Sequence, residues 1–277
     1  MAITAQEVNK LRQLTGAAMM DCKKALEEAN GNIEEAVVIL RKKGQKISEK
    51  RAGMEAKEGA VFVKTSDDGK AAVMLAINCE TDFVAKNEEF LKLGEAIVTN
   101  ALNNNVTDAE TAKGLVIADG RTAIELITDL MGKIGEKLEI TAYELLKADK
   151  IVTYIHSNAK LGVLLALDGI NGADVTELGK DIAMQIAAMK PVAVDKDDVD
   201  KNIVDREVEI AKEKARNEGK PENIIEKIAM GALQTFYKEN TLLNQQFVKD
   251  GSKTVGQLLK EVGKDVKVSA FKRVAIG

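Results

Sequence analysis

The stretch AVFVKTSDDGKAAVMLAINCETDFVAKN, residues 60–87, contains the segments that decide the fold. AVFVKT (60–65) and AAVMLAINC (71–79) are rich in β-branched and apolar residues, and the SDDGK between them is typical of a hairpin turn. We therefore predict an antiparallel β-hairpin, followed by one helix from about Thr81 to Leu102.

The same order of elements recurs further along the chain. A capped helix is predicted at Thr122, a strand from Leu138, a hairpin over 151–167 and a helix that ends near Pro191. The chain is expected to close with a helix carrying Val255, Leu258, Leu259 and Val262 and a strand from Val266 to Ile276. These patterns predict an α+β fold with antiparallel sheets in two core subdomains, at 59–137 and 138–277.

The first 44 residues predict a module of three short helices. Thr4 and Glu7 have the spacing of a capping box, with Ile3 and Val8 at the positions of a hydrophobic staple. Gly16 is expected to end the first helix, Asn30-Gly31 the second, and Gly44 the third, which Asn32 caps.

Two further segments differ in composition from the predicted core. Residues 45–58, QKISEKRAGMEAKE, are charged and have little apolar stripe, so they indicate a mobile or helical linker. Residues 198–237 carry two narrow apolar stripes divided by Gly219-Lys220-Pro221, which predicts an antiparallel helical hairpin that projects from the body.

Composition limits the functions that the chain can have. Of its 277 residues 45% are hydrophobic and 30% charged, which fits a folded, helix-rich protein. No segment approaches the ~20 apolar residues of a membrane span, and the N-terminus lacks the pattern of a secretory signal, so we expect a cytoplasmic protein without membrane contact. A net charge of −4, 3% aromatic residues and no Trp argue against direct binding of nucleic acid.

The sequence offers little that could carry catalysis. His156 is the single histidine, and it has no neighbouring nucleophile or second imidazole. Cys22 and Cys79 are far apart, which favours two reduced thiols over a disulfide or a metal site. No phosphate-binding glycine loop is present, since Gly251-Ser252-Lys253-Thr254 lacks the required glycine and lysine. We expect no enzymatic activity, no cofactor and no metal site.

Two motifs resemble a known family. LRQLTGAAMMDCKKAL (11–26) with GNIEEA (31–36) closely resembles the N-terminal module of the elongation factor Ts family, and NCETDFVAKN (78–87) resembles the second signature of that family. Weaker similarity extends over nearly the whole chain. The resemblance implies a non-enzymatic guanine nucleotide exchange factor whose partner is elongation factor Tu, both GDP-bound and nucleotide-free.

The resemblance also implies which residues meet the partner. Thr81, Asp82, Phe83 and Val84 would displace Mg²⁺ from the GDP site of elongation factor Tu, with Phe83 as a wedge between two helices. Val8, Met19, Met20 and His156 would contribute to docking. The N-terminal module resembles ubiquitin-associated domains as well, so a protein-binding adaptor is the alternative function, although it accounts only for the first fifth of the chain.

The residues alone leave these roles open. Phe83 is a large apolar side chain that could equally pack in the core, and Asp82 could simply stabilise the start of its own helix. Met19 and Met20 are adjacent in one helix, so at least one of them is expected to be exposed. Methionine side chains adapt well to a partner surface, whereas the other interpretation is that both fill the core of the module.

Overall fold

The computed structural model describes residues 3–277 and begins with the predicted three-helix module. Its helices are α1 (Ala5–Thr15), α2 (Met19–Glu28) and α3 (Ile33–Arg51). The capping box of Thr4 and Glu7 is formed, and Gly16 ends α1 in the left-handed conformation. The buried side chains of the module come from all three helices and are Val8, Leu11, Cys22, Ala25, Leu26, Ala29 and Ala36.

Helix α3 does not end at Gly44, and this part of the prediction was wrong. The helix continues to Arg51, through half of the segment expected to be a linker. A Cβ atom on Gly44 would lie 3.1 Å from the carbonyl oxygen of Thr128, in helix α7 (Ala123–Ile134). Gly44 is therefore a close-packing residue in the middle of a helix, and the predicted domain division after residue 44, which stays a prediction, falls within α3.

A first three-stranded sheet follows the module. Strands β1 (Glu58–Thr65) and β2 (Ala71–Cys79) form the predicted hairpin. The third strand is β5 (Leu138–Lys147), which pairs antiparallel with β2, so the order is β1-β2-β5. The sequence-based division at residue 138 had placed this strand with the second subdomain, because the pattern of a strand does not reveal its partner.

The helices that cover this sheet lie in the chain between strands β2 and β5. They are α4 (Asp82–Ala85), α5 (Glu88–Asn103), α6 (Ala109–Gly114) and α7, with a small hairpin of β3 (Val116–Ala118) and β4 (Arg121–Thr122). The single helix expected from Thr81 to Leu102 is in fact two. Asn87 ends the continuity because its side chain accepts hydrogen bonds from the N–H groups of Glu89 and Phe90 and caps α5.

The second sheet has the order β10-β7-β6. Strands β6 (Lys150–Ile155) and β7 (Leu161–Asp168) form the hairpin predicted around residues 157–159, and β10 (Lys267–Ala275) is the predicted closing strand. Helices α8 (Thr176–Met189) and α11 (Val255–Val262) pack on this sheet. A short hairpin of β8 (Gln246–Phe247) and β9 (Asp250–Thr254) was not predicted.

The two sheets pack face to face through small and apolar side chains. The shared core contains Val61, Ala72, Met74 and Ala76 from the first sheet and Ile151, Leu164, Ala166 and Ile276 from the second sheet and the end of the chain. A Cβ atom on Gly162 would lie 2.6 Å from Val61 and 2.7 Å from Met74, so only glycine permits this close approach. The α+β fold with antiparallel sheets is thereby confirmed.

The predicted helical hairpin is also present. It consists of α9 (Lys201–Asn217) and α10 (Glu222–Asn240), joined at Gly219 with φ of 72°. Few of its residues are buried, which fits an arm: Ala215, Ile225, Ala229 and Leu233. Lys212 pairs with Glu226 at 3.0 Å across the two helices. Among residues 3–277, no helix has the length and apolar character needed to cross a membrane.

We expect Gly94→Ala to destabilise the protein by about 1–3 kcal/mol, because overpacking a filled core displaces its side chains. Gly94 lies in α5 against the ring of Phe62, which itself packs at 5.8 Å from the ring of Phe90. Gly231→Ala in α10 is the control. No atom of the described residues outside its own helix backbone lies within 4 Å of that position, so alanine should stabilise by ~0.5–1 kcal/mol. Denaturant unfolding measures the stability of both variants, and equal changes in their unfolding free energy would contradict the close packing of Gly94 against Phe62.

Candidate functional site

The candidate site is the turn that joins strand β2 to helix α4. Thr81 caps the start of α4, and its hydroxyl accepts a hydrogen bond from the N–H of Val84 at 3.4 Å. Both the N–H and the hydroxyl of Thr81 donate to the carboxylate of Glu136, at 3.1 and 2.9 Å. Two donors of one residue are thus held by one carboxylate from outside the turn, which fixes the position of the turn.

Apolar contacts and a buried thiol hold the turn from beneath. Val84 is 6% exposed and lies in the core on which α4 packs. The Sγ of Cys79 donates to the carbonyl oxygen of Thr81 at 3.1 Å. Burial, reinforced by the negative charges of Glu136 and Glu58, raises the pKa of Cys79 to about 12, so this thiol stays protonated and acts as a structural group.

Glu80 ties the turn to helix α3. One carboxylate oxygen of Glu80 pairs with Arg51, the last residue of α3, at 2.7 Å. The other accepts a hydrogen bond from the N–H of Lys137 at 2.6 Å. The Nζ of Lys137 in turn donates to the carbonyl oxygens of Ala52 and Met54, at 3.1 and 3.3 Å. The segment after α3 and the turn before α4 are therefore joined by one polar network.

Phe83 projects from this anchored turn into solvent. Its side chain is 81% exposed, although a phenylalanine normally buries most of its surface. The interpretation that Phe83 packs in the core is therefore wrong. A large apolar side chain held out by a rigid turn indicates a contact with another molecule.

Asp82 is exposed beside Phe83 and pairs with a lysine of the same turn. Its Oδ2 lies 2.7 Å from the Nζ of Lys86. The hydrogen bond from Lys86 and then its charge lower the pKa of Asp82, with a further contribution from the positive charge of Lys160. The tip therefore presents a carboxylate that is ionised at neutral pH and an aromatic ring.

The turn that carries His156 packs next to the first sheet. The carbonyl oxygen of Ala159 accepts a hydrogen bond from the N–H of Val61 at 2.7 Å, and Lys160 pairs with Glu58 at 2.6 Å. His156 itself is exposed, and its Nδ1 lies 2.8 Å from the hydroxyl of Tyr154. This turn is therefore held against the edge of strand β1, and the positive charge of Lys160 adds to those that lower the pKa of Asp82.

The remaining predicted docking residues divide into exposed and buried ones. Met19 and Met20 are 52% and 61% exposed, so both are accessible and the interpretation that they fill the core is wrong. Val8 is only 7% exposed and lies in the core of the module, where it supports α1. A direct contact of Val8 with a partner would thus be confined to the edge of its side chain.

The part of the chain that the structure describes contains no group of three or more His, Cys, Asp or Glu placed to hold a metal ion. Cys22 and Cys79 are both free and buried. Gly251-Ser252-Lys253-Thr254 belongs to strand β9 and the start of α11, where Thr254 caps the helix.

Sequence reasoning missed the residues that hold the tip in place. Glu136 lies in the loop before β5, and Arg51 at the end of a helix that was expected to stop earlier. Neither residue belongs to a motif, and both act on Thr81 or Glu80 over sequence separations of 55 and 29 residues. Only the pairing of β2 with β5 could have indicated Glu136.

The fold and the tip define a class of protein: a mixed α+β chain that presents an anchored aromatic side chain and a carboxylate on its surface. The family model for "Elongation factor TS" matches residues 80–277. The chain is 54% identical to "Elongation factor Ts" of Cytophaga hutchinsonii over 274 residues, which is 99% of each chain. It is 51% identical over 277 residues to "Elongation factor Ts" of Amoebophilus asiaticus, and the match covers the full length of both chains. It is 48% identical over 276 residues to "Elongation factor Ts" of Porphyromonas gingivalis, which is 100% of this chain and 99% of the relative.

The chain therefore belongs to the elongation factor Ts family. This membership confirms the predicted resemblance, and with it the assignment to the exchange factors of translation elongation.

We expect Phe83→Ala to change the free energy of unfolding by less than about 0.5 kcal/mol, because the ring is exposed and supports little of the core. Val84→Ala is the matched comparison at the adjacent position. It should destabilise by ~1–3 kcal/mol, since the side chain is buried where α4 meets the sheet. Denaturant unfolding of both variants measures these changes. A larger loss of unfolding free energy for Phe83→Ala than for Val84→Ala would mean that the ring is part of the core.

Proposed function

We propose that this protein accelerates the release of GDP from elongation factor Tu, acting on the GDP-bound form and binding the nucleotide-free form tightly. The observation that carries the proposal is the exposure of Phe83 on a turn fixed by Glu136, Glu80 and Val84. A side chain carried on a backbone turn that is fixed before binding loses less conformational entropy on entering a partner than one on a mobile loop. It can therefore use most of its binding free energy to separate elements of that partner.

The proposed mechanism displaces Mg²⁺ from the GDP site of the partner. The ion and the phosphate-binding loop supply much of the charge stabilisation of a bound nucleotide, so loss of the ion weakens nucleotide binding strongly. In this mechanism Phe83 acts as the wedge and Asp82 perturbs the groups that hold the ion, while Thr81 and Val84 keep both in position. Asp82 must first separate from Lys86, and this costs little free energy because the ion pair is exposed to solvent.

Thermodynamic linkage sets what such a factor must do. If the protein weakens GDP binding by a given factor, it must bind nucleotide-free elongation factor Tu more tightly than the GDP complex by the same factor. Each tenfold change corresponds to ~1.4 kcal/mol. In the proposed role the protein makes and breaks no covalent bond, so the role needs neither a cofactor nor a catalytic residue. It also needs no contact with nucleic acid or with a membrane. We propose that it is carried out in the cytoplasm.

Release of a fluorescent GDP analogue from elongation factor Tu, with and without this protein, tests the proposal directly. A strong acceleration is expected. Capture of ubiquitin by the full chain, without capture of elongation factor Tu, would instead favour the adaptor function that the three-helix module also permits.

Phe83→Ala should lower the saturated rate of GDP release by about tenfold or more, because contacts made only in the opened state determine the limiting rate. Val248→Ala is the control, since Val248 is another exposed apolar residue, distant in sequence from the tip. A normal rate for a folded Phe83→Ala protein would reject the wedge.

Asp82→Asn keeps the size of the side chain and removes its charge. We expect slower exchange, with a defect that shrinks as free Mg²⁺ is lowered, because there is then less ion to displace. Glu88→Gln is the matched control, as Glu88 is a neighbouring exposed carboxylate paired with Lys92 at 2.6 Å in the same i,i+4 arrangement. A defect of Asp82→Asn that is independent of Mg²⁺ would exclude the proposed route.

The double variant Met19→Ala, Met20→Ala should raise the concentration of this protein needed for half-maximal exchange and leave the saturated rate nearly unchanged. Contacts made equally in the closed and opened states alter affinity and not the limiting rate. Point substitutions are preferable to removal of residues 1–44, because that cut would divide α3 and uncover α7. A lower saturated rate with unchanged affinity would contradict a docking role.

A further inference from the structure

Helix α3 belongs to the N-terminal module at one end and reaches the candidate site at the other. Its first turn, at Ile33 and Ala36, packs in the module, while Arg51 at its last turn pairs with Glu80, directly before the tip. With 19 residues the helix is about 28 Å long, at about 1.5 Å per residue. One continuous element thus spans from the docking module to the tip.

The middle of α3 lies very close to α7 of the core. A Cβ atom on Gly132 of α7 would be 2.9 Å from the Cα of Gly44, and a Cβ atom on Gly44 would be 3.6 Å from the Cα of Gly132. Glycine is unfavourable inside a helix, so a pair of glycines facing each other at a crossing indicates that the two backbones must approach closely. Neither helix can slide or tilt far without separating this contact.

The rest of the seam between module and core is less tightly closed. A cavity of about 510 Å³ opens between them. Both apolar and charged side chains of the two parts line it, and the apolar ones include Leu14, Val37 and Leu40 of the module and Leu93, Leu126 and Leu130 of the core. The crossing at Gly44 and the Arg51–Glu80 ion pair are therefore two contacts through which the core can fix the orientation of α3.

We propose that α3 is a rigid strut that holds the docking face and the Phe83 tip at a fixed separation, with Gly44, Gly132 and Arg51 as positioning residues. The proposal rests on the proposed exchange function and deepens it. Two surfaces that are rigidly spaced to match one partner bind as a linked pair, and this linkage raises affinity without any new contact. Loss of the spacing should then weaken binding even though every contact residue is still present.

The geometry can be measured without elongation factor Tu. Spin labels are placed on Lys24→Cys in α2 and Asp67→Cys in the turn between β1 and β2, both exposed, whereas Cys22 and Cys79 are buried. We expect one narrow distance distribution in the full chain, a small shift in Gly44→Ala, and a large shift or broadening in Gly44→Val. Gly231→Val is the matched control, made in a helix with no atom of the described residues outside its own helix backbone within 4 Å, and should leave the distribution unchanged. Arg51→Gln, at the other end of the helix, should broaden the distribution and gives a second test should Gly44→Val not fold.

Exchange by the same unlabelled variants tests the positioning role. Gly44→Val and Arg51→Gln should raise the half-maximal concentration by about tenfold or more, with the ~10²–10⁴-fold gain that linkage of two sites can supply as the upper limit. Unchanged distances in folded Gly44→Val and Arg51→Gln would overturn the strut. Changed distances with unchanged exchange, while Phe83→Ala remains defective, would overturn only the positioning role. Absence of any acceleration of GDP release by the unsubstituted protein would show instead that the proposed function itself has failed.

Discussion

The antiparallel pairing of β2 with β5 is the constraint on which the site depends. Its register places Cys79 opposite Leu138, so that Glu80 and Thr81 leave one strand where Glu136 and Lys137 enter the other. The carboxylate of Glu136 then meets both donors of Thr81, and the carboxylate of Glu80 meets the N–H of Lys137. A shift of this register by one residue would move every side chain of β5 to the opposite face and remove these hydrogen bonds together.

The same pairing explains why a four-residue helix can present a phenylalanine to solvent. An isolated helix as short as Asp82–Ala85 would be unstable, since the first turn fixes many dihedral angles for a single hydrogen bond. Here the cap of Thr81, the burial of Val84 and the thiol of Cys79 supply the missing stabilisation from outside the helix. Because these anchors lie on one side, Asp82 and Phe83 are left on the other.

Packing between the sheets brings the remaining parts into place. Gly162 allows β7 to approach Val61 and Met74. In the turn after β6, the carbonyl oxygen of Ala159 then accepts a hydrogen bond from the N–H of Val61 at the edge of β1. The segment that follows α10 is fixed to α8 by the buried side-chain amide of Gln185. This amide donates to the side chain of Gln245 and to the carbonyl oxygen of Gln246, and it accepts a hydrogen bond from the N–H of Val248. The helical arm is therefore held at its base by a satisfied polar network, which favours one direction of the arm over many.

The sequence by itself determined the elements whose signals are local. Thr4 with Glu7, Thr122 with Glu125 and Asn32 with Glu35 cap their helices as predicted, because a cap needs only residues three positions apart. Both hairpins, α8, the helical arm and the closing strand followed from period and turn residues for the same reason. The family motif identified Asp82 and Phe83 as candidate residues, but not whether either was exposed.

Only the tertiary structure decided the contacts between distant segments. Gly44 has the appearance of a helix terminator until α7 lies against it, and a strand starting at Leu138 carries no information about its partner. Val8 is buried and Met20 exposed, although both are apolar residues in amphipathic helices. Such outcomes depend on which surfaces the whole chain removes from water. The free energy of this burial is a sum over residues far apart in sequence, so no local sequence pattern contains it.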